Sequence, residues 1–230
     1  MKKFLIICGL ILFPLCAFAI DETELIEYQT IQQNIDDISS KILNANKIEY
    51  RVIFLCTEED KKAKLKIEKS LTDRQVVLYR NNYKFIDSDD EIAAFLSRGI
   101  LYAIKSYRGA FNGYLSSLQI KAAPKKFEIV ADKRAVDFMV KAGYNPLGLI
   151  TYIHKSEPQK RFDKISTKNL ASKRTAIIYE YIYTKYPYYL QNNEYLTNEH
   201  YQNFLLTSEN NRKLLLQKIK SGSKKELDYE

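Results

Sequence analysis

Residues 88–107 hold both the start of a helix and the face it must bury. Ser88 and Glu91 form a Ser-x-x-Glu capping box, which supplies acceptors to backbone N–H groups that have no partner inside the helix. Asp89 and Asp90 fall in the first turn, where the helix dipole favours negative charge. Behind them Ile92, Phe95, Leu96, Ile100, Ala103, Ile104 and Tyr107 recur at spacings of three and four, so one apolar face has to be covered. Gly109 or Gly113 is the expected stop. A second helix is predicted over about 126–142, closed by Gly143 in a left-handed cap, with Asn145 and Pro146 as N-cap and first residue of a third. A helical core built on these segments is the first expectation.

The flanking sequence adds helix and a little strand. Leu25, Ile26, Ile31, Ile35, Ile38 and Ile42 predict an amphipathic helix over 22–44. Tyr50, Val52, Ile53, Phe54 and Leu55 predict a strand within 47–56, and Val76 to Tyr79 a second within 74–79, followed by a turn at Asn81-Asn82. A polar stretch over 57–64 separates them. Six tyrosines between Tyr179 and Tyr189 leave helix and strand undecided by periodicity alone. One or two more helices are expected over 195–219, then a frayed polar tail over 221–230. With 46% hydrophobic residues the chain can bury a real core.

Lys2 and Lys3, an apolar run from Phe4 to Phe13 and the small-x-small end Ala17-Phe18-Ala19 read as a secretory signal over 1–19, cleaved before Ile20. The run is short of the roughly 20 apolar residues that span a bilayer. Cys16 does not suit lipid attachment, because Phe13-Pro14-Leu15 lacks the small residues needed. Cys8 and Cys16 leave with the leader, so Cys56 remains alone and behaves as a small hydrophobe. Losing Lys2 and Lys3 takes the net charge from +8 to +6. That excess suits peripheral contact with anionic membrane surfaces, but no compact basic patch marks a nucleic-acid partner.

The stretch beginning Asp89-Asp90-Glu91-Ile92-Ala93-Ala94-Phe95-Leu96 resembles the metal-binding helix of the HtpX-type and CAAX-prenyl-protease-type zinc metallopeptidases. Downstream, Glu128-Ile129-Val130-Ala131-Asp132 followed by Ala142-Gly143-Tyr144-Asn145-Pro146 resembles that family's second signature, Glu-x-x-Ala-Asp and Ala-Gly-Tyr-(Asp/Asn)-Pro. The resemblance implies an α+β, mainly α, zincin-like fold with a small sheet, over residues 20–190, and a helical C-terminal extension over 191–230. Its His-Glu-x-x-His core would fall on Arg98 to Tyr102, where Arg98, Gly99 and Tyr102 replace the first ligand, the catalytic base and the second ligand. Glu128 takes the place of the third ligand, and Asp132 that of a carboxylate orienting a histidine. Arg174, with Ser172 near it, matches an arginine near the family's cleft. An edge strand carrying Arg74, Val76 and Leu78 matches the strand that holds extended substrate.

These replacements do not make a zinc site. Two imidazoles one helical turn apart can reach one ion, but an arginine there stays cationic and repels it, a glycine is no base, and tyrosine ligates only as phenolate. The chain's two histidines, His154 and His200, are not at ligand spacing, and Ser97 has neither a nucleophile elbow nor a histidine base. No metal, cofactor or catalytic residue is therefore expected. Arg98 is expected to extend towards Glu128, with Asp132 as a further partner, balancing charge where relatives hold the ion. The implied function is that of a periplasmic pseudo-peptidase binding extended or unfolded polypeptide or an envelope protein subunit, through strand addition that needs no metal. A zinc endopeptidase with rearranged ligands and a structural envelope assembly protein are the alternatives.

Overall fold

The computed structural model describes residues 22–57, 74–83, 85–106, 122–156 and 169–229. The leader and its cleavage site, the polar stretch after Thr57, and Gly109 and Gly113, expected to end the helix that starts after Ser88, lie outside these residues. In chain order the elements are α1 (Glu22–Ala45), β1 (Ile53–Thr57), β2 (Gln75–Tyr79), α2 (Arg80–Tyr83), α3 (Asp89–Ser106), α4 (Pro124–Lys141), α5 (Leu147–Ser156), α6 (Ala171–Lys185) and α7 (Tyr188–Gln191). A 3-10 turn (Glu194–Thr197), α8 (Glu199–Thr207) and α9 (Glu209–Ser221) complete the chain. The fold is α+β and mainly α. Its two strands are parallel, with Phe54 opposite Val76 and Cys56 opposite Leu78. Among the described residues no helix is long and apolar enough to cross a membrane.

Helix α3 is the hub, packing on α1, α4, α5 and β2. It buries Ile92, Phe95, Leu96, Ile100 and Ala103 as its spacing requires. Ile31, Ile35, Ile38 and Ile42 of α1 meet them in one core, whereas Ile26 is exposed. Fully burying one such side chain contributes about 1.5–3 kcal/mol. The tyrosine-rich segment resolves as helix α6, because Ile178 and Ile182, four apart, both enter the core.

The two loop signatures read from the sequence have their expected geometry. Gly143 has φ +77°, and the N–H groups of Gly143 and Tyr144 close on the carbonyls of Val140 and Met139, which satisfies the end of α4. Asn145 Oδ1 accepts from Leu147 N at 3.1 Å, capping α5. The capping box is shifted on one side. Glu91 N–H points to Ser88 Oγ at 3.4 Å, but the Glu91 carboxylate accepts from Asp87 N, one residue earlier than a reciprocal box requires. That same buried carboxylate pairs with Lys155 at 2.9 Å, tying α3 to the end of α5.

Asp90 ties three distant parts of the chain together. Its Oδ1 accepts from Asn145 N at 2.8 Å and its Oδ2 from the Tyr195 hydroxyl at 2.9 Å. Burial raises the Asp90 carboxyl above the usual carboxylate range, and these two hydrogen bonds hold the rise back. Gly148 makes the approach possible: a Cβ there would lie 2.7 Å from Asp90 Cβ. The C-terminal helices are therefore part of the core, with Tyr195, Tyr201 and Phe204 buried in it.

The last residues are not frayed. The segment after α9 folds back, Tyr229 is buried, and its hydroxyl donates to Glu180 of α6 at 2.8 Å. The sequence shows a polar tail because a single aromatic anchor among charges gives no periodic signal.

Gly99 sits where α3 crosses β2, and a Cβ there would come 2.5 Å from Val76 Cγ1. Val76 is β-branched, buried and held in a strand, so it has little room to yield. Gly99→Ala gains about 1 kcal/mol of helix propensity and costs about 1–3 kcal/mol of overpacking. Urea denaturation is expected to show a net loss of stability, and the same change in a Val76→Ala background is expected to stabilise.

Candidate functional site: a buried network of two arginines and two carboxylates

Helices α3, α4 and α6 bring Arg98, Glu128, Asp132 and Arg174 together in the interior. Arg174 is 0% exposed and is the largest fully buried side chain among the described residues. It reaches from α6 across to α4, donating from Nε to Asp132 Oδ2 and from Nη2 to Asp132 Oδ1, both at 2.8 Å. This two-pronged geometry matches the guanidinium fork to the carboxylate plane. Arg98, 3% exposed, approaches the same carboxylate from α3 with Nε 2.9 Å from Oδ1. Its N–H is not aimed at that oxygen, so the contact is Coulombic, and among the described residues the Nε–H has no hydrogen-bond acceptor.

Glu128 stands one helical turn before Asp132 on the same face of α4. Its Oε2 accepts from Asn169 N at 2.9 Å and from Asn169 Nδ2 at 3.0 Å, and Oε1 lies 3.5 Å from Arg174 Nη1. Among the described residues Arg98 makes no ion pair with Glu128. The expected Arg98–Glu128 pairing is corrected to Arg98–Asp132, with Glu128 held by Asn169 and Arg174. The reason is reach: Arg174 already occupies the space beside Glu128 and shares Asp132 with Arg98. The four formal charges cancel, as burial in a low-dielectric interior requires.

Tyr102, one turn after Arg98, faces the same network and stacks edge-on against Phe127, ring centroids 4.8 Å apart. Burial raises its hydroxyl above the ordinary tyrosine value; Arg98 pulls the other way, and Asp132 and Glu128 add to the rise. The phenolate that could ligate a metal is thus disfavoured. Gly99 presents no side chain, and Val76 fills the space over it.

The residues present do not fit a zinc ion. Asp132 has both oxygens engaged by arginines, Glu128 has one oxygen engaged by Asn169, and two guanidiniums stand within the site. Among the described residues no group of three or more His, Cys, Asp and Glu is placed to hold a metal. Of the residues expected to line a cleft, Val76, Leu78 and Arg174 are all buried and line no open surface. Arg74 is exposed at the start of β2 with φ +56°. Ser97 is buried, and its hydroxyl has no hydrogen-bond partner. Compared with protein-family models, with curated proteins and with solved structures, the chain gives no match.

Three placements were not visible in the sequence. Asn169 clamps Glu128 from outside any motif. Asp137 gathers Tyr181, Tyr186 and Lys185 around one oxygen, at 2.9, 2.9 and 2.7 Å. Burial alone would raise that carboxyl, but hydrogen bonds from Lys185, Tyr186 and Tyr181 bring it below the usual range. The two histidines, 46 positions apart in sequence, meet between α5 and α8 with ring centroids 6.2 Å apart.

Asp132→Asn leaves Arg98 with no ion pair among the described residues and Arg174 with Glu128 alone. Denaturant unfolding is expected to show a loss of about 3–5 kcal/mol for Asp132→Asn and a smaller loss for Glu128→Gln, whose amide oxygen still accepts from Asn169. The reverse order would refute Asp132 as the centre of the network.

Burial, and then the facing His200, lower the His154 pKa below 6.5. Because the folded value lies below the unfolded one, the stability from neutral His154 is complete above about pH 6.5 and drains as pH falls through the folded value. From pH 7 to pH 5 the melting temperature of the wild type is expected to fall further than that of His154→Gln. Parallel curves would exclude the linkage.

Proposed function

We propose that this chain is a zincin-like relative of the HtpX-type metallopeptidases that has lost its catalytic centre, works in the periplasm, and acts by binding extended or unfolded polypeptide or an envelope subunit. The observation that carries the reading is the Arg98–Asp132–Arg174–Glu128 network. Arg98, Glu128 and Asp132, which the sequence resemblance assigns to one site, and Arg174, which it assigns to the cleft, lie together, and the two cations offset both carboxylates. A site that needs charge balance between α3, α4 and α6 obtains it here from guanidiniums, and so keeps the helix packing that a metal would otherwise hold. Tyr102, Gly99 and the filled space under Val76 fit a centre that positions helices and moves no proton.

Binding without cleavage follows from the same features. Peptide recognition requires backbone groups, apolar contacts and charges, none of which depends on a bound ion. The expected outcome for the purified mature chain is less than stoichiometric zinc and no chelator-sensitive cleavage of unfolded casein, which is retained on the protein and recovered uncut. Stoichiometric zinc together with cleavage abolished by a chelator would refute the reading.

A further inference from the structure

Away from the buried network, α4, α6, α9 and the returning segment 226–228 enclose a groove of about 780 Å³, whose lining includes four lysines beside Glu180, Glu226 and Asp228. Lys126, Ile129 and Lys133 project from α4 at spacings of three and four, roughly a third of a turn around the helix from Glu128 and Asp132. Lys173 stands on α6 and Lys218 on α9. The chain's own end is seated against this surface. Asp228 accepts from Lys173 Nζ at 2.7 Å, and Tyr229, 3% exposed, donates to Glu180 Oε2 at 2.8 Å. Glu180 is itself held by Lys218, which bonds its other oxygen at 2.7 Å.

The fit is incomplete in a telling way. Lys126 and Lys133 have no carboxylate partner among the described residues, and Lys133 lies 5.8 Å from the centre of the Tyr181 ring. The tail, Glu226-Leu227-Asp228-Tyr229, alternates acidic residues with Leu and Tyr, and it meets the groove in neither helix nor strand. Its hold rests on one buried aromatic ring with its hydroxyl bonded to Glu180, and on an ion pair whose Asp228 partner is 94% exposed, a contact that solvent screens heavily. A tail joined to α9 by a few residues is favoured by its high local concentration, and another segment can displace it by offering contacts it lacks.

We propose that the α4–α6–α9 groove is a docking site for an extended acidic segment of a partner protein, anchored by a tyrosine where Tyr229 sits, and that the C-terminal tail is its resident competitor. The partner's additional carboxylates pair with Lys126 and Lys133. This names the partner chemistry for the binding role above and rests on that role, but its own footing is the groove and not the arginine network.

The test uses the full chain and a fluorescent peptide of sequence Glu-Leu-Asp-Tyr-Glu, followed by anisotropy. An Asp228→Ala/Tyr229→Ala variant, with its tail released, is expected to bind the peptide about tenfold or more tightly than the wild type. Adding Lys126→Glu, at an exposed position, and Lys133→Glu, at a half-buried one, is expected to abolish binding, as is high salt. In the unsubstituted chain, excess peptide is expected to speed hydrogen exchange at residues 223–229, a readout that needs no variant. Equal affinity with and without the native tail, or binding indifferent to the two lysines, would overturn the site. So would self-association of the released variant through a second copy's groove, which would replace the partner by the chain itself. Zinc-dependent cleavage would instead remove the proposed binding role and leave these peptide measurements standing.

Discussion

Asp132 is the point on which the interior turns. One carboxylate on α4 takes a two-pronged bond from Arg174 and a Coulombic contact from Arg98, and so links the three helices that form the centre of the molecule. Two guanidiniums could not be buried so close together without it, since each carries a desolvation cost that only opposite charge offsets. Glu128 supplies the second negative charge, and Asn169 fixes its direction. The packing of α3, α4 and α6 is thus set by a charge pattern as well as by shape. The apolar residues around it, such as Ala131, Ala135 and Ile100, are small or aliphatic and leave the helices close enough for the arms to meet.

A network of this kind is a structural element that forbids some chemistry. Its carboxylates have donors already in place, its phenol is pushed towards the neutral form, and the turn of helix facing β2 has no side chain at Gly99. Proton transfer needs a group whose charge state can change near neutral pH, and arginine is not one. Apart from it, charged side chains gather at the surface, in the lysines of the α4–α6–α9 groove and in the acidic tail that partly covers it.

Most of the secondary structure was legible because its signals are local. The capped start of α3, the left-handed Gly143 and the Asn145 cap depend on a few neighbouring residues, and each appears where chemistry places it. The candidate site was legible in membership but not in wiring. Spacing put Glu128 and Asp132 on one face of α4, yet which arginine each would meet depended on the path of α6, to which sequence periodicity is blind. Asn169, the His154–His200 encounter and the return of Tyr229 are long-range contacts without a repeating pattern. Val76 and Leu78 read as strand residues correctly, but their burial follows from α3 covering β2, a tertiary fact that alternation within five residues does not carry.

Asp90 is a mechanical joint. The Tyr195 phenol grips the same carboxylate that the Asn145 amide holds, and this carboxylate stands at the first turn of the helix that also carries Arg98. Traction applied to the carboxyl-terminal helices therefore reaches the root of α3 through this hydroxyl, alongside the buried rings of Tyr201 and Phe204 that carry it into the core. With both routes in place, the junction at Tyr195 is a strut rather than a hinge.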